Sequence, residues 1–330
     1  MDSKQLHQLF ASFNKLNVLI VGDVMLDSYV WGTVNRISPE APVPIVAAQK
    51  RENRLGGAAN VALNIKAMGA KPILCSVIGN DSNGKLFTQL IKKEQLSSEG
   101  IILVDDRPTT SKTRIIGNQH QMLRIDEEVT TTISDAQSKK LFQLISKIIS
   151  TKKIDALIFE DYDKGVLSKS LIEELIKLAK KNSIPTSVDP KKNNFLLYKN
   201  VTLFKPNLRE LKEGLKLETD LSVPKNLKLA IHQLSKTLTC SICLITLSER
   251  GIYLAQGKNE YWLPAHVRTI SDVSGAGDTV IAVATLCLAA KSSLKLMAAL
   301  ANLAGGLVCE KLGVVSVDKQ QLFEEAKQLI

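Results

Sequence analysis

Apolar positions along the chain fall into short continuous runs separated by longer amphipathic stretches. Asn17–Val21 is one such run, and it ends at Gly22-Asp23. Its lack of alternation predicts a strand buried on both faces. Similar strands are predicted over Pro72–Ile78, Ile154–Phe159, Pro185–Val188, Val201–Phe204 and Ser241–Thr246. Between them the period lengthens, predicting helices over Ser134–Ser150, Ser168–Lys181, Asn207–Gly214 and Lys225–Leu238. Such alternation predicts an α/β fold, a doubly wound, mainly parallel sheet with helices on both faces. A short β pair, Ile252–Ala255 and Glu260–Leu263, and three helices follow.

Two regions depart from this rhythm. Leu26–Gly32 and Val43–Gln49 read as strands around Arg36-Ile-Ser-Pro-Glu-Ala-Pro-Val-Pro44, whose three prolines exclude a central strand. Pro108–Asp126 is again β in pattern, with a hairpin expected near Gly117-Asn118-Gln119. One domain over residues 1–330 is expected, with a small β excursion from about 26–48 and 107–126. No linker, repeat or low-complexity tract divides the chain.

Composition narrows the function classes. With 45% hydrophobic and 23% charged residues, the chain is ordinary for a soluble globular protein. Met1–Asn17 is polar-amphipathic rather than a signal peptide, and no apolar run approaches a membrane span. A cytoplasmic protein with no membrane partner is expected. The five cysteines are scattered, which argues against a disulfide framework. Cys240 and Cys243, three apart near the Ser241–Thr246 strand, are expected to point to opposite faces and not to converge. The net charge of +10 comes from lysines spread over polar helix faces, and aromatics total only 5%. That pattern argues against nucleic acid and suits an anionic small molecule.

The candidate chemistry centres on Asp272-Val-Ser-Gly-Ala-Gly-Asp-Thr-Val280. Its glycines open backbone amides at the start of an apolar helix, which is a ready anion site. Asp278 there could take a proton from an attacking hydroxyl while the amides hold a transferring phosphoryl group. A capped helix after a glycine turn fits the same residues. Several predicted strands end in polar residues: Asp23, Glu160-Asp161, Asp189, Asn207 with Glu210, and Thr246. In open α/β sheets these ends share one crevice, which suits Mg²⁺, a nucleotide and a hydroxyl-rich ligand. Asn207 and Glu210 also satisfy a capping box. Gly79-Asn-Asp-Ser-Asn-Gly84-Lys85-Leu86 nearly spells a P-loop, but Leu86 replaces the metal-binding hydroxyl, so a loop that starts a helix is expected.

With Gly56-Gly-Ala-Ala-Asn60 early and Asp272–Asp278 late, the chain resembles the ribokinase-like (PfkB) sugar kinases over nearly its whole length. Val21-Gly-Asp-Val-Met-Leu-Asp27, Arg36–Pro44 and Asp161-Tyr-Asp-Lys-Gly165 are similar to the subgroup acting on D-glycero-β-D-manno-heptose 7-phosphate, the kinase half of a bifunctional heptose kinase/adenylyltransferase. The nucleotidyltransferase motif His-x-Gly-His is missing, so a stand-alone kinase is the expectation. The resemblance implies ATP and Mg²⁺ as cofactors and a sugar phosphate as substrate. It makes Asp278 the base and Gly275, Ala276 and Gly277 the anion hole. It assigns Asp23, Asp27, Arg36, Gly56, Gly57, Asn60 and Asp161 to the sugar. Arg114 and Lys164, with Arg124 and Lys112 behind them, are the expected ligands of the 7-phosphate, although a lid ion pair would also explain them. Lys191, Asn207, Glu210, Thr246, Ser248, Gly251 and Asn302 fall to the nucleotide, with Glu210 reaching the metal through water. Val273 and Ser248 depart from the wider family and agree with the subgroup. The β excursion resembles the family's lid, which implies a homodimer paired through it.

Other readings are a kinase of the same fold for fructose, ribose or fructose 6-phosphate, and a catalytically silent sugar-binding regulator. A silent regulator would need a damaged base or anion hole, and both are intact. A dehydrogenase fits less well, because no Gly-x-Gly-x-x-Gly follows the first strand.

Overall fold

The structure is a computed structural model and describes residues 3–329. Of the expected domain limits 1–330, the first two residues and the last lie outside it. Helix α1 (Ser3–Phe13) leads into β1 (Asn17–Gly22), β2 (Val24–Ile37) and β3 (Pro44–Gly57). Then come α2 (Ala58–Ala67), β4 (Lys71–Gly79), α3 (Ser82–Lys93), β5 (Gly100–Val104), β6 (Ser111–Gly117) and β7 (His120–Glu127). Alternation follows: α4 (Asp135–Thr151), β8 (Ala156–Glu160), α5 (Lys169–Lys181), β9 (Thr186–Asp189) and β10 (Leu203–Phe204). The rest is α6 (Leu208–Gly214), α7 (Pro224–Leu238), β11 (Ile242–Thr246), β12 (Ile252–Gln256), β13 (Asn259–Leu263), α8 (Ala276–Ala289), α9 (Leu294–Cys309) and α10 (Lys319–Leu329).

Nine strands form the main sheet in the order β13-β12-β11-β10-β9-β8-β1-β4-β5. All neighbours are parallel except the β11-β12-β13 edge. Burial explains the apolar runs. In β1, Val18 and Ile20 pack with the layer that holds α2, α8 and α9, while Leu19 and Val21 face the layer of α4, α5 and α7. Each such side chain, fully buried, contributes about 1.5–3 kcal/mol. Local signals set the helix starts: Ser134 caps α4 in a capping box with Gln137, and Ser168 caps α5. The near P-loop is a loop opening α3, where Asp81 accepts from the Gly84 amide at 2.6 Å.

The second sheet, β3-β2-β6-β7, is the excursion. It is larger than the expected 26–48 and 107–126, because β3 runs on to Gly57. Residues Lys50–Arg54 carry no apolar alternation, being half-buried or exposed in a lid strand. The hairpin turns at Asn118 and Gln119, both at positive φ. Strand β5, at the sheet edge, was not predicted at all. The expectation for the cysteine pair is overturned: β11 starts at Ile242, so Cys240 precedes it, and its Sγ lies 3.3 Å from that of Cys243. Both are buried free thiols.

Register fixes where the chemistry gathers. Gly22 lies opposite Glu160, Glu160 opposite Asp189, and a bridge joins Asn207 to Thr246. The polar residues at the strand ends therefore line up along one edge. Gly22 permits the closest approach, since a Cβ there would lie 1.9 Å from the Glu160 carbonyl oxygen. Gly22→Ala is expected to destabilise the fold by about 1–3 kcal/mol or more. A lowered urea midpoint checks this; an unchanged one would refute the close approach.

Candidate active site

Helix α8 is preceded by its N-cap Gly275, whose φ of 81° is left-handed. A side chain there would come within 2.8 Å of Asn60 Nδ2, so only glycine turns the loop this tightly beside α2. The Ala276 amide donates to the Val273 carbonyl at 3.3 Å, which removes it from the expected three-amide anion hole. Among the described residues the amides of Gly275, Gly277 and Asp278 have no backbone acceptor. The open donors thus keep Gly275 and Gly277 of the expected set and have Asp278 in place of Ala276.

Asp278, one turn into α8, is 4% exposed. Asn60 Nδ2 donates to its Oδ2 at 2.7 Å, and the Tyr162 hydroxyl donates to its Oδ1 at 2.7 Å. Burial raises its pKa above the ordinary carboxylate range, and these two hydrogen bonds pull partly the other way. Asn60 reaches this position because Gly57, at φ 59°, takes the chain from β3 into α2 in one residue. Any side chain on Gly56 or Gly57 would strike Asp27 Oδ2 at 2.1 Å or the Asp23 carbonyl at 2.4 Å. These glycines thus serve close backbone approach.

Tyr162 was not among the expected site residues. Its own loop is held by Asp23, which is 1% exposed and accepts from the amides of Tyr162 (2.8 Å), Lys164 (3.1 Å) and Val166 (3.0 Å). Burial, with the charge of Asp161, pushes the Asp23 pKa up to about 6 against these amides. Asp161 is equally buried and accepts from Tyr198, Asn194 and the Asp163 amide. Both acids were expected on sugar hydroxyls; here they bind their own chain.

A cavity of about 800 Å³ is lined by Gly275, Ala276, Gly277 and Asp278, and by all seven residues expected at the nucleotide: Lys191, Asn207, Glu210, Thr246, Ser248, Gly251 and Asn302. None of the residues expected at the sugar lines it. Its volume lies within the range of small-molecule and cofactor sites. Two lysines bring positive charge to it. Lys191 lies 2.5 Å from Glu210 Oε1 and 5.1 Å above the Tyr162 ring, and Lys205 lies 2.9 Å from Asp189 Oδ2. Burial opposes their charge, but Asp189 and Glu210 hold both pKa values above normal. Lys205 was also missed; its only sequence signal is its place at the end of the two-residue β10. The capping-box reading of Asn207 and Glu210 is realised, with both reciprocal bonds formed. Glu210 thus has one oxygen on the Asn207 amide and the other on Lys191. A divalent ion near it would be met through water, and its hard oxygens suit magnesium.

The expected phosphate ligands are paired within the protein. Arg114 bonds Asp27 at 2.5 Å, Lys164 bonds Glu128 at 2.7 Å, and Lys112 bonds Asp126 and Glu128. Arg124, opposite Arg114 on the lid, pairs with Asp126 at an exposed position. Arg36 is exposed near the end of β2, and the structure does not bring it to the cavity.

A doubly wound sheet with a small second sheet places a buried carboxylate beside open helix-start amides. Residues 15–320 match the model of the pfkB family carbohydrate kinases, and the chain belongs to that family. It is 40% identical over 324 residues to the bifunctional protein HldE of Desulfatibacillum aliphaticivorans, covering 98% of this chain and 65% of the relative. To the bifunctional protein HldE of Helicobacter pylori strain J99 it is 38% identical over 296 residues, covering 90% of this chain and 63% of the relative. The chain thus spans just under two thirds of these curated relatives. The fold is ribokinase-like. Escherichia coli phosphofructokinase-2 in complex with potassium matches with a TM-score of 0.76 at 18% identity, over 94% of this chain and 99% of that one. Arabidopsis thaliana ribokinase complexed with ribose and ATP matches at 0.73 and 17%, over 96% and 99%. No helix among the described residues is long and apolar enough to cross a membrane.

Tyr162→Phe keeps the ring under Lys191 and removes one hydrogen bond that lowers the Asp278 pKa. A base must be ionised to act, so the acid limb of the kcat–pH profile is expected to move to higher pH in the variant. An unmoved limb would separate Tyr162 from the base.

Proposed function

We propose that the protein transfers the γ-phosphoryl group of ATP to the anomeric O1 of D-glycero-β-D-manno-heptose 7-phosphate, giving the 1,7-bisphosphate. The observation that carries this reading is Asp278, held by Asn60 and Tyr162 beside the open amides of Gly275 and Gly277 in a nucleotide-sized cavity. The similarity to the HldE proteins and the subgroup's residues at Asp23–Pro44 and Asp161–Gly165 support this sugar. On this reading the step belongs to the making of ADP-heptose for lipopolysaccharide core, in the cytoplasm.

Asp278 accepts the O1 proton as O1 attacks phosphorus in line, and no phosphoenzyme forms. The α8 amides, with Lys191 and Lys205, face the charge that spreads over the transferring group. Magnesium bound with ATP would neutralise phosphate charge, and Glu210 would hold it through water. Arg114 and Lys164 would exchange their carboxylate partners for the 7-phosphate, and the lid would exclude water.

Asp278→Asn is expected to lower turnover on the order of 10³-fold, about 4 kcal/mol of barrier. Near-normal turnover in the variant would remove Asp278 from the role. ATP consumption followed by phosphorus NMR with heptose 7-phosphate, fructose 6-phosphate and ribose tests the sugar. Preference for either of the latter two favours the reading as another kinase of the same fold.

A homodimer through the lid is part of this proposal. Strand β7 is exposed along its length and presents Met122, Leu123 and Ile125. Light scattering is expected to give twice the chain mass for the native protein and one chain mass for Leu123→Lys. A monomeric native protein would rule the dimer out.

A further inference from the structure

Cys240 and Cys243 share the core layer on the α4, α5 and α7 side of the sheet, beside Leu234 and Leu238 of α7. Their Sγ atoms are 3.3 Å apart. Among the described residues no other two thiols make such a contact, and all five cysteines are free. The turn between α7 and β11 builds this approach. Thr239, at φ 50°, ends the helix in the left-handed region, and Cys240 then precedes the first strand residue, Ile242. Cys243 is fixed on both sides, opposite Phe204 of β10 and Ala255 of β12. Cys240 is thus carried by a turn and Cys243 by the sheet. Thr239 and Ser241, on either side of Cys240, are exposed, and Cys240 itself is 5% exposed against 1% for Cys243. A small solute therefore meets Cys240 first.

The hydrogen bond from Cys243 draws the Cys240 pKa below the ordinary thiol value, and the same bond, with burial, pushes that of Cys243 up. Cys240 therefore has the greater thiolate character, which is what reacts with a peroxide oxygen. A disulfide needs its sulfurs at about 2.05 Å, about 1.3 Å closer than they stand. The exposed turn supplies that movement while the strand stays in place. We propose that Cys240 and Cys243 are a reversible oxidation site for small hydroperoxides, with Cys240 attacking and Cys243 resolving. The Cys240 thiolate attacks one oxygen of hydrogen peroxide: an S–O bond forms, the O–O bond breaks, and the departing hydroxide takes the proton that Cys240 gave up. The Cys243 sulfur then attacks the sulfur of the Cys240 sulfenic acid. The S–S bond forms, the S–O bond breaks, and a second water leaves with the Cys243 proton. Two thiols and one hydrogen peroxide thus give one disulfide and two waters, with two electrons passing from sulfur to peroxide. A resolving thiol in contact halts oxidation before the irreversible sulfinic acid, and a thiol reductant restores the pair. The bond closes at the end of β11 opposite Thr246, away from the cavity.

Hydrogen peroxide in slight excess over the native protein, followed by iodoacetamide under denaturing conditions and mass spectrometry, tests this directly. All five thiols should be alkylated before peroxide and three after it, with peptide mapping placing the loss of two hydrogens on Cys240 and Cys243. Dithiothreitol should return the count to five. In Cys243→Ser no resolving thiol remains, and dimedone is expected to trap a sulfenic acid at Cys240 at least about tenfold faster than at Cys75, Cys287 or Cys309. Melting of this variant without peroxide shows that it folds, and the native protein alone decides whether the disulfide forms. Five alkylated thiols after peroxide, a disulfide to any other cysteine, or dimedone spread evenly over the cysteines of Cys243→Ser would overturn the site. The inference rests on neither ATP nor a sugar, so turnover measurements test the kinase reading separately.

Discussion

The grip of Asn60 and Tyr162 on Asp278 is the interaction on which the rest of the molecule converges. The two partners lie 218 and 116 residues away in sequence, so no local propensity brings them together. Asn60 depends on the one-residue passage from β3 to α2 at Gly57. Tyr162 depends on Asp23, which ties three amides of the loop after β8 to the end of β1. Asp278 itself depends on α8, an Ala-rich helix packed between α2 and α9. A carboxylate shared among three elements is placed well only if each element is placed well. That accounts for glycines where backbones meet and for small residues where helices meet.

Electrostatics at the strand ends works against stability and is tolerated there. Buried lysines and carboxylates lose hydration, and pairing repays that loss only when the geometry is good. Lys205 and Asp189 meet this condition, being 3% and 5% exposed and 2.9 Å apart. Their strands, β9 and β10, are held by apolar neighbours on both sides of the sheet, so the charges cannot separate to relax. The core thus supplies the rigidity that a layer of buried charge requires. A polar layer alone would not hold this shape.

The parallel strands and amphipathic helices were legible because their periods are set by burial on two faces or on one. The glycine loop at Asp272–Asp278 was legible for a related reason: few structures other than a tight turn need those residues in that order. What escaped was decided across space. Strand β5 is an exception: Gly100-Ile-Ile-Leu-Val104 is an apolar run like the others, and it was passed over. The polar stretch Lys50–Arg54 hid the second half of β3. Acidic residues at strand ends could be foreseen, but not their partners within the chain: Asp23 accepts from three backbone amides, and Asp161 from Tyr198, Asn194 and one amide. Tyr162 stood inside a recognised motif, yet only the folded loop shows where its hydroxyl goes. Cys240 and Cys243 were misjudged by the start of a single strand.

The lid is joined to the main body in an unusual way. Strand β2 leaves β1 with only Asp23 between them, and β3 enters α2 directly at Gly57, beside the Asp23 carbonyl. The Ala58 amide donates to that carbonyl at 2.9 Å, so the two attachment points are themselves bonded. The chain crosses to the small sheet twice more, into β6 at Ser111 and out of β7 at Glu127, so four crossings tie it to the body. At the first pair of crossings stand the residue that steadies the Tyr162 loop and the residue that starts the Asn60 helix. A strain applied to the small sheet at this seam therefore reaches both segments that hold Asp278 through a single backbone hydrogen bond.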